Sequence, residues 1–280
     1  MSSAPSSAAA NVAADYYDSA DADRFYAEVW GGEDIHIGLY SDAQEPIAVA
    51  SRRTVDTLMA LAGAPPKGGT VVDLGSGYGG ASRLMASTFD VSVQAINISA
   101  VENQRHRALN AEAGLAERIT VHDASFEAVP LADGSADLIW SQDAILHSGD
   151  RALVLREVAR VLKPGGVFVL TDPMAADGVE MALLQPILDR IHLPDLASPE
   201  RYRLWAEAAG LQREVWQERT DMLVCHYARV RDELRRRHDV LVSSISAGYL
   251  SRMETGLGHW VEGGEAGRLS WGLMRFSKPL

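Results

Sequence analysis

VVDLGSGYGG, residues 71–80, reads as a buried strand that ends on an acid, followed by a glycine-rich turn that opens a helix. Gly75, Gly77 and Gly79 carry no Cβ, so the turn can take positive φ and a nucleoside ligand can lie against the main chain. At the carboxyl end of the first strand of a parallel sheet, such a turn falls at the ligand crevice of open α/β folds. Gly75, Gly77 and Gly80 also satisfy the dinucleotide fingerprint G-x-G-x-x-G. Three details oppose a dehydrogenase. Asp73 precedes the first glycine, the next strand ends near Asn97 with no carboxylate for a ribose, and the motif opens as late as residue 71.

Working outward, residues 15–30 and 46–62 read as two helices ahead of the sheet. The second keeps Ile47, Val55, Leu58, Met59 and Ala62 along one face and stops at Gly63 and the Pro65–Gly69 linker. Strands are expected at 70–74, 91–97, 118–122, 136–141 and 166–172, and helices at 79–89, 100–113 and 151–162. Strands alternating with helices imply a parallel, doubly wound sheet. Ser99 with Glu102 makes a capping box, Gly114 is a C′ stop, and Asp150 caps the helix that ends at Lys163–Gly166. Beyond 173 the pattern gives a loop and helix, a helix at 199–209, a strand near 211–217, helical stretches to about 260 and a last strand at 268–277. The segment 173–200 looks like an insertion over the crevice, where lids and substrate selectivity reside.

Composition bounds the function. The 280 residues, 47% of them apolar, suffice for one large domain with an inserted cap. A net charge of −12 leaves no electrostatic footprint for nucleic acid. The single cysteine, Cys225, rules out an internal disulfide and reads as a small buried hydrophobe. No His-x-Glu or paired-His spacing suggests a metal. The opening MSSAPSSAAA has neither a basic start nor an apolar segment, so residues 1–14 read as a disordered tail, and the expected compartment is the cytoplasm, with no membrane partner. Nothing in the sequence sets the oligomeric state.

The pattern D-x-G-x-G-x-G at Asp73–Gly79 resembles the first motif of class I S-adenosylmethionine-dependent methyltransferases, and VLKPGG at 161–166 resembles the turn before their fifth strand. The stretches at 15–40, INISAVENQR (96–105), WSQDAILHSGDR (140–151) and 171–203 narrow this to a resemblance to sarcosine/dimethylglycine N-methyltransferases, which make glycine betaine. It covers roughly residues 12 to 280. The resemblance implies an α/β, Rossmann-like class I methyltransferase sheet with an N-terminal helical arm (15–64) and an inserted helical cap (173–210 and 220–262) in a single domain. It implies S-adenosyl-L-methionine as methyl donor, S-adenosyl-L-homocysteine as product, no metal, and a small-molecule amine as acceptor.

By the same resemblance, Trp30, Gly31, His36, Gly38, Leu39 and Tyr40 close the arm over the cofactor. Asp73 steadies the glycine turn, whose carbonyls take the methionyl ammonium beside Gly75 and Gly77. Asn97 and Ile98 meet ribose and adenine, Asp123 meets the adenine amino group with Ala124, Ser125 and Phe126 beside the ring, and Gln142 lies near the methionyl end.

For the acceptor, the chemistry asks for an aromatic wall against a cationic product and a guanidinium for a carboxylate. Tyr17, Trp30 and Tyr202 are the aromatic candidates, Arg190 is favoured over Arg203 for the carboxylate, and Met174 is a further candidate contact. His147 is placed to accept the amine proton or to orient Gln142, with a purely structural histidine as the equal alternative. For His192 and His226 the structural reading is the stronger, and Arg231 with Arg235–Arg237 reads as a solvated face. Two further readings stay open at the level of sequence: a same-fold enzyme acting on another small N, O or C acceptor, and a cofactor-binding protein without turnover.

Overall fold

The computed structural model describes residues 19–280 apart from 31 and 43. The expected tail, Tyr17 and Gly31 lie outside the described residues.

Strands β1 (Gly69–Leu74), β2 (Val91–Asn97), β3 (Ile119–Asp123), β4 (Ala136–Gln142) and β5 (Leu162–Thr171) form the parallel part of a seven-stranded sheet. Helices α3 (Gly80–Thr88), α4 (Ala100–Glu112) and α5 (Arg151–Val161) alternate with these strands, preceded by α1 (Ala20–Phe25) and α2 (Ile47–Ala62). A last strand, β9 (Gly272–Ser277), inserts antiparallel between β5 and β7 (Gln212–Glu218), which gives the order β3-β2-β1-β4-β5-β9-β7. Between β1 and β4 the strand order reverses direction. That switch point sits where an open α/β sheet leaves a crevice beyond its carboxyl ends.

Neighbouring residues of the strands feed two cores. Val71, Val93, Trp140 and Val169 pack toward one face, whereas Val72, Ile96, Ile139 and Phe168 pack toward the other. Burial on both sides explains why these strands read as continuous apolar runs. The Lys163–Gly166 turn is looped out of β5: Leu162 pairs with Ala136, and pairing resumes at Val167 with Leu138.

The segment after β5 carries a short strand β6 (Met174–Ala175), α6 (Gln185–Ile191) and α7 (Pro199–Ala208). Two long helices, α8 (Thr220–Leu241) and α9 (Ala247–Glu265), then pack against each other and against the arm and α6, before β8 (Leu269–Ser270), which pairs with β6. The single strand expected at 268–277 is thus split into β8 and β9 at Trp271. In the N-terminal arm, α1 runs on into a π-helical turn, Tyr26–Trp30, in place of one continuous helix. Among the described residues no helix is long and apolar enough to cross a membrane.

Candidate active site

A cavity enclosing about 1180 Å³ of empty space, its open mouth included, lies over the carboxyl ends of β1, β2 and β4. Its floor is the glycine turn. Gly75 has φ +74°, and a Cβ there would stand 2.3 Å from the Ala144 Cβ, so only glycine lets the two loops close on each other. Gly77 also lines the cavity, opposite Ile35 of the arm. Asp73 does not reach it. Its buried carboxylate accepts from Ser82 Oγ at 2.6 Å beneath the turn, and burial raises its pKa to about 6.

Asn97, Ile98, Ala124, Ser125 and Phe126 line one end of the cavity together. Asp123 does not line it; its side chain pairs with Arg107 at 2.7 Å and accepts from Asn103 Nδ2 at 2.8 Å. Sequence reasoning used Glu102 only as a cap, but the structure puts it on the cavity wall, where its carboxylate accepts from Asn97 Nδ2 at 2.9 Å. The acid missing from the end of β2 is therefore supplied one turn into α4. The signal was present in the sequence: the buried face of α4 is polar, with Glu102, Asn103, His106 and Asn110, which no packing argument calls for.

Gln142 and His147 line the middle of the cavity. Gln142 Oε1 accepts from Trp140 Nε1 at 3.1 Å, and Gln142 Nε2 is buried with no acceptor among the described residues. His147 ends a short 3₁₀ turn, Ile145–His147. That turn is clamped through Leu146, whose N–H donates to Asp172 Oδ1 at 3.2 Å while its carbonyl accepts from Arg151 Nη2 at 2.7 Å. Burial, with the Arg151 guanidinium adding to it, lowers the His147 pKa to about 4. The imidazole is neutral at physiological pH and a weak proton acceptor. Asp172 moves the other way, up to about 8, chiefly by burial.

The arm closes the cavity from above with Trp30, Ile35, His36 and Ile37. Ile37 N–H donates to Asp143 Oδ2 at 2.7 Å, and Asp143 Oδ1 also accepts from Thr171 Oγ1 and Trp271 Nε1, each at 2.8 Å. Gly38, Leu39 and Tyr40 do not line the cavity. They anchor the arm from behind: Gly38 N–H donates to His226 Nδ1 at 3.1 Å, Tyr40 Oη lies 3.0 Å from the same nitrogen, and Leu39 N–H donates to Thr54 Oγ1 at 2.9 Å. Burial lowers the His36 pKa to about 4 and the His226 pKa to about 3.

Past Gln142 and His147 the cavity becomes aromatic. Tyr26 and Trp30 of the arm meet Tyr227 of α8 and Trp260 of α9, with Trp30 edge-on to Tyr227 at 5.7 Å and Tyr227 stacked on Trp260 at 4.9 Å. Arg190 lines this end as well. Tyr202 and Met174 do not. Both are fully buried in the second core, and Tyr202 touches the site only at one remove, by donating to Asp172 Oδ2 at 2.6 Å. Arg203 pairs with Glu200 and Glu207 on the surface of α7, and Arg235–Arg237 likewise meet acids in exposed pairs. Tyr26, Tyr227 and Trp260 escaped the sequence reading because an aromatic at helical spacing is indistinguishable from core until the helices are placed.

A methyltransferase domain model matches residues 72–170. The chain is 70% identical over 272 residues to a dimethylglycine N-methyltransferase of Parasynechococcus marenigrum (strain WH8102), covering 97% of each chain. It belongs to the family of dimethylglycine and sarcosine/dimethylglycine N-methyltransferases. A second relative, the sarcosine/dimethylglycine N-methyltransferase of Halorhodospira halochloris, is 50% identical over 270 residues, with 96% of this chain and 97% of that one covered. Among solved structures, a candidate sarcosine dimethylglycine methyltransferase from Galdieria sulphuraria superposes with a TM-score of 0.89 at 48% identity, over 94% of this chain and 99% of that one. The chain is an S-adenosylmethionine-dependent methyltransferase of class I fold, as the sequence motifs led us to expect.

The cavity suits such a donor on its own evidence. Gln142 Nε2 and Trp30 Nε1 are buried lining donors with no acceptor among the described residues, and the Gly75 cradle would be filled by any Cβ.

Proposed function

We propose that this member of the family methylates dimethylglycine, and sarcosine before it, to glycine betaine, a cytoplasmic reaction that needs no metal. The observation that carries the reading is the union, at one end of the cavity, of a four-membered aromatic wall with a single guanidinium, Arg190. A methylated ammonium is attracted to aromatic faces by about 0.5–2 kcal/mol, and a carboxylate is the matching partner of a guanidinium. A short N-methyl amino acid presents both.

Bound S-adenosylmethionine supplies an electrophilic methyl on a sulfonium. Glu102 and Asn97 are assigned to the ribose, Ile98 and Ala124–Phe126 to the adenine, and the Gly75–Gly77 turn with Gln142 to the methionyl part. Held there, the donor would supply its methyl to the amine lone pair, with the thioether as leaving group. Alignment of this kind can contribute about 7–11 kcal/mol.

The amine must arrive as the free base. With a solution pKa near that of lysine, about 10.4, this costs about 4 kcal/mol at about pH 7.4. A tertiary amine has no proton to lose after attack, so the proton leaves to water before the acceptor is enclosed. His147, neutral and weakly basic, then serves as a hydrogen-bonding wall rather than as the proton sink.

The test is dimethylglycine against dimethylethanolamine, which keeps the amine and replaces the carboxylate by a hydroxymethyl group. An Arg190-based site predicts kcat/KM at least about a hundredfold higher for the amino acid, because a hydroxymethyl group cannot make the charge-assisted, two-pronged pair that a carboxylate makes with a guanidinium. Equal values would contradict carboxylate recognition.

A further inference from the structure

Helix α9 presents Met253, Gly256 and Trp260 at positions i, i+3 and i+7, so the three share one face. Trp260 belongs to the aromatic wall, and Arg190 reaches across from α6 to lie against the other two. Its Nη2 approaches Met253 Sδ to 2.8 Å. At Gly256 the side chain occupies the space of the missing methyl: a Cβ there would stand 2.0 Å from Arg190 Cδ, 2.1 Å from Nε and 2.9 Å from Cζ. The overlap is with the middle of the side chain and its planar head, not with a free end.

Glycine in a helix interior is unfavourable by about 1 kcal/mol relative to alanine. Gly248 and Gly258 of the same helix show how cheaply that could be recovered, since their added Cβ atoms would meet nothing nearer than 3.5 Å and 3.6 Å. Gly256 is different. The space of its missing methyl is taken by one functional side chain, that of Arg190.

We propose that Gly256 is a specificity-determining position of the acceptor site: a slot in α9 that fixes the guanidinium of Arg190 at a set distance from Trp260 and Tyr227. The proposal rests on the assignment of Arg190 to the acceptor carboxylate. Pressed into the slot, the guanidinium bounds a chamber sized for an amino acid whose carboxylate and amine share one carbon. With the slot filled, Arg190 must leave α9, and the distance between cation and aromatic wall changes.

Gly256→Ala is expected to raise KM for dimethylglycine at least tenfold, to change kcat less than threefold, and to leave the dissociation constant of S-adenosylmethionine unchanged. Gly258→Ala is the control for the helix itself and should leave KM alone. Arg190→Lys should raise KM, because the ammonium lacks the planar fork. In an Arg190→Ala background Gly256→Ala should add no further rise, since alanine leaves no side chain in the slot. This last comparison also serves if Gly256→Ala alone yields no folded protein.

An unchanged KM in Gly256→Ala, with Arg190→Lys impaired, would overturn the slot while leaving Arg190 in the site. A further rise in KM on adding Gly256→Ala to Arg190→Ala would likewise overturn it, as it would mean that α9 itself and not Arg190 is disturbed. An unchanged KM in Arg190→Lys and in Arg190→Ala would overturn the carboxylate assignment, and the slot with it.

Discussion

Gly75 has two constraints that coincide at one atom: a positive φ of +74° and an Ala144 Cβ placed 2.3 Å from any Cβ it could carry. Valine there must either push the β4 loop away or fill the floor of the cavity. Gly75→Val is therefore expected to show no heat of binding with S-adenosylmethionine in a titration calorimeter while keeping its circular dichroism, and normal binding by the folded variant would displace the cofactor from this turn. The glycines were legible in the sequence because a turn leaves a local signature. Glu102 was not legible as part of the cavity, since its role depends on where Asn97 of another element ends. Arg190 could be named from chemistry, but its partner Gly256, 66 positions later in the sequence, could not.

The arm and the sheet are joined through Asp143, whose carboxylate accepts from Ile37, Thr171 and Trp271 on three separate segments. The residue has φ +49°, a left-handed backbone for a side chain that is not glycine, and burial raises its carboxyl pKa. Strain of this kind persists where surrounding bonds over-determine it. Asp143→Ala leaves three donors without their acceptor and is expected to lower unfolding free energy by at least about 3 kcal/mol. It should also speed limited proteolysis within residues 32–40, and unaltered proteolysis would show that the arm is held by its other anchors alone. The strand and helix order of residues 69–171 follows the sequence periodicity closely. The arm and the α6–α9 region were harder to read, because their helices bury faces against several elements at once. Tyr202 illustrates this: an aromatic in the inserted segment looks like acceptor wall, yet α7 packs it into the second core.

Across the whole molecule, burial holds a set of imidazoles neutral: His36 and His147 at about 4, His106 and His226 at about 3. A lowered pKa in the fold means that the unfolded chain takes up a proton first as pH drops. The contribution is complete above about pH 6.5 and is lost as pH falls toward the folded value. Asp73 and Asp172, with raised pKa values of about 6 and about 8, act in the opposite sense, so the net slope mixes both groups. A single substitution separates them. His106→Asn should flatten the dependence of unfolding free energy on pH between 4 and 6 by about 1.4 kcal/mol per pH unit relative to the parent. Parallel slopes in urea melts would show that His106 is not held neutral.

The largest scale also holds the central claim, that an aromatic and guanidinium chamber at the sheet's switch point turns a class I methyltransferase toward short N-methyl amino acids. Mass-spectrometric turnover of the purified protein with S-adenosylmethionine and, separately, glycine, sarcosine, dimethylglycine and an unrelated amine panel addresses it most directly. The account predicts betaine from dimethylglycine, and dimethylglycine followed by betaine from sarcosine. Methylation confined to the unrelated amines, with no product from sarcosine or dimethylglycine, would contradict it.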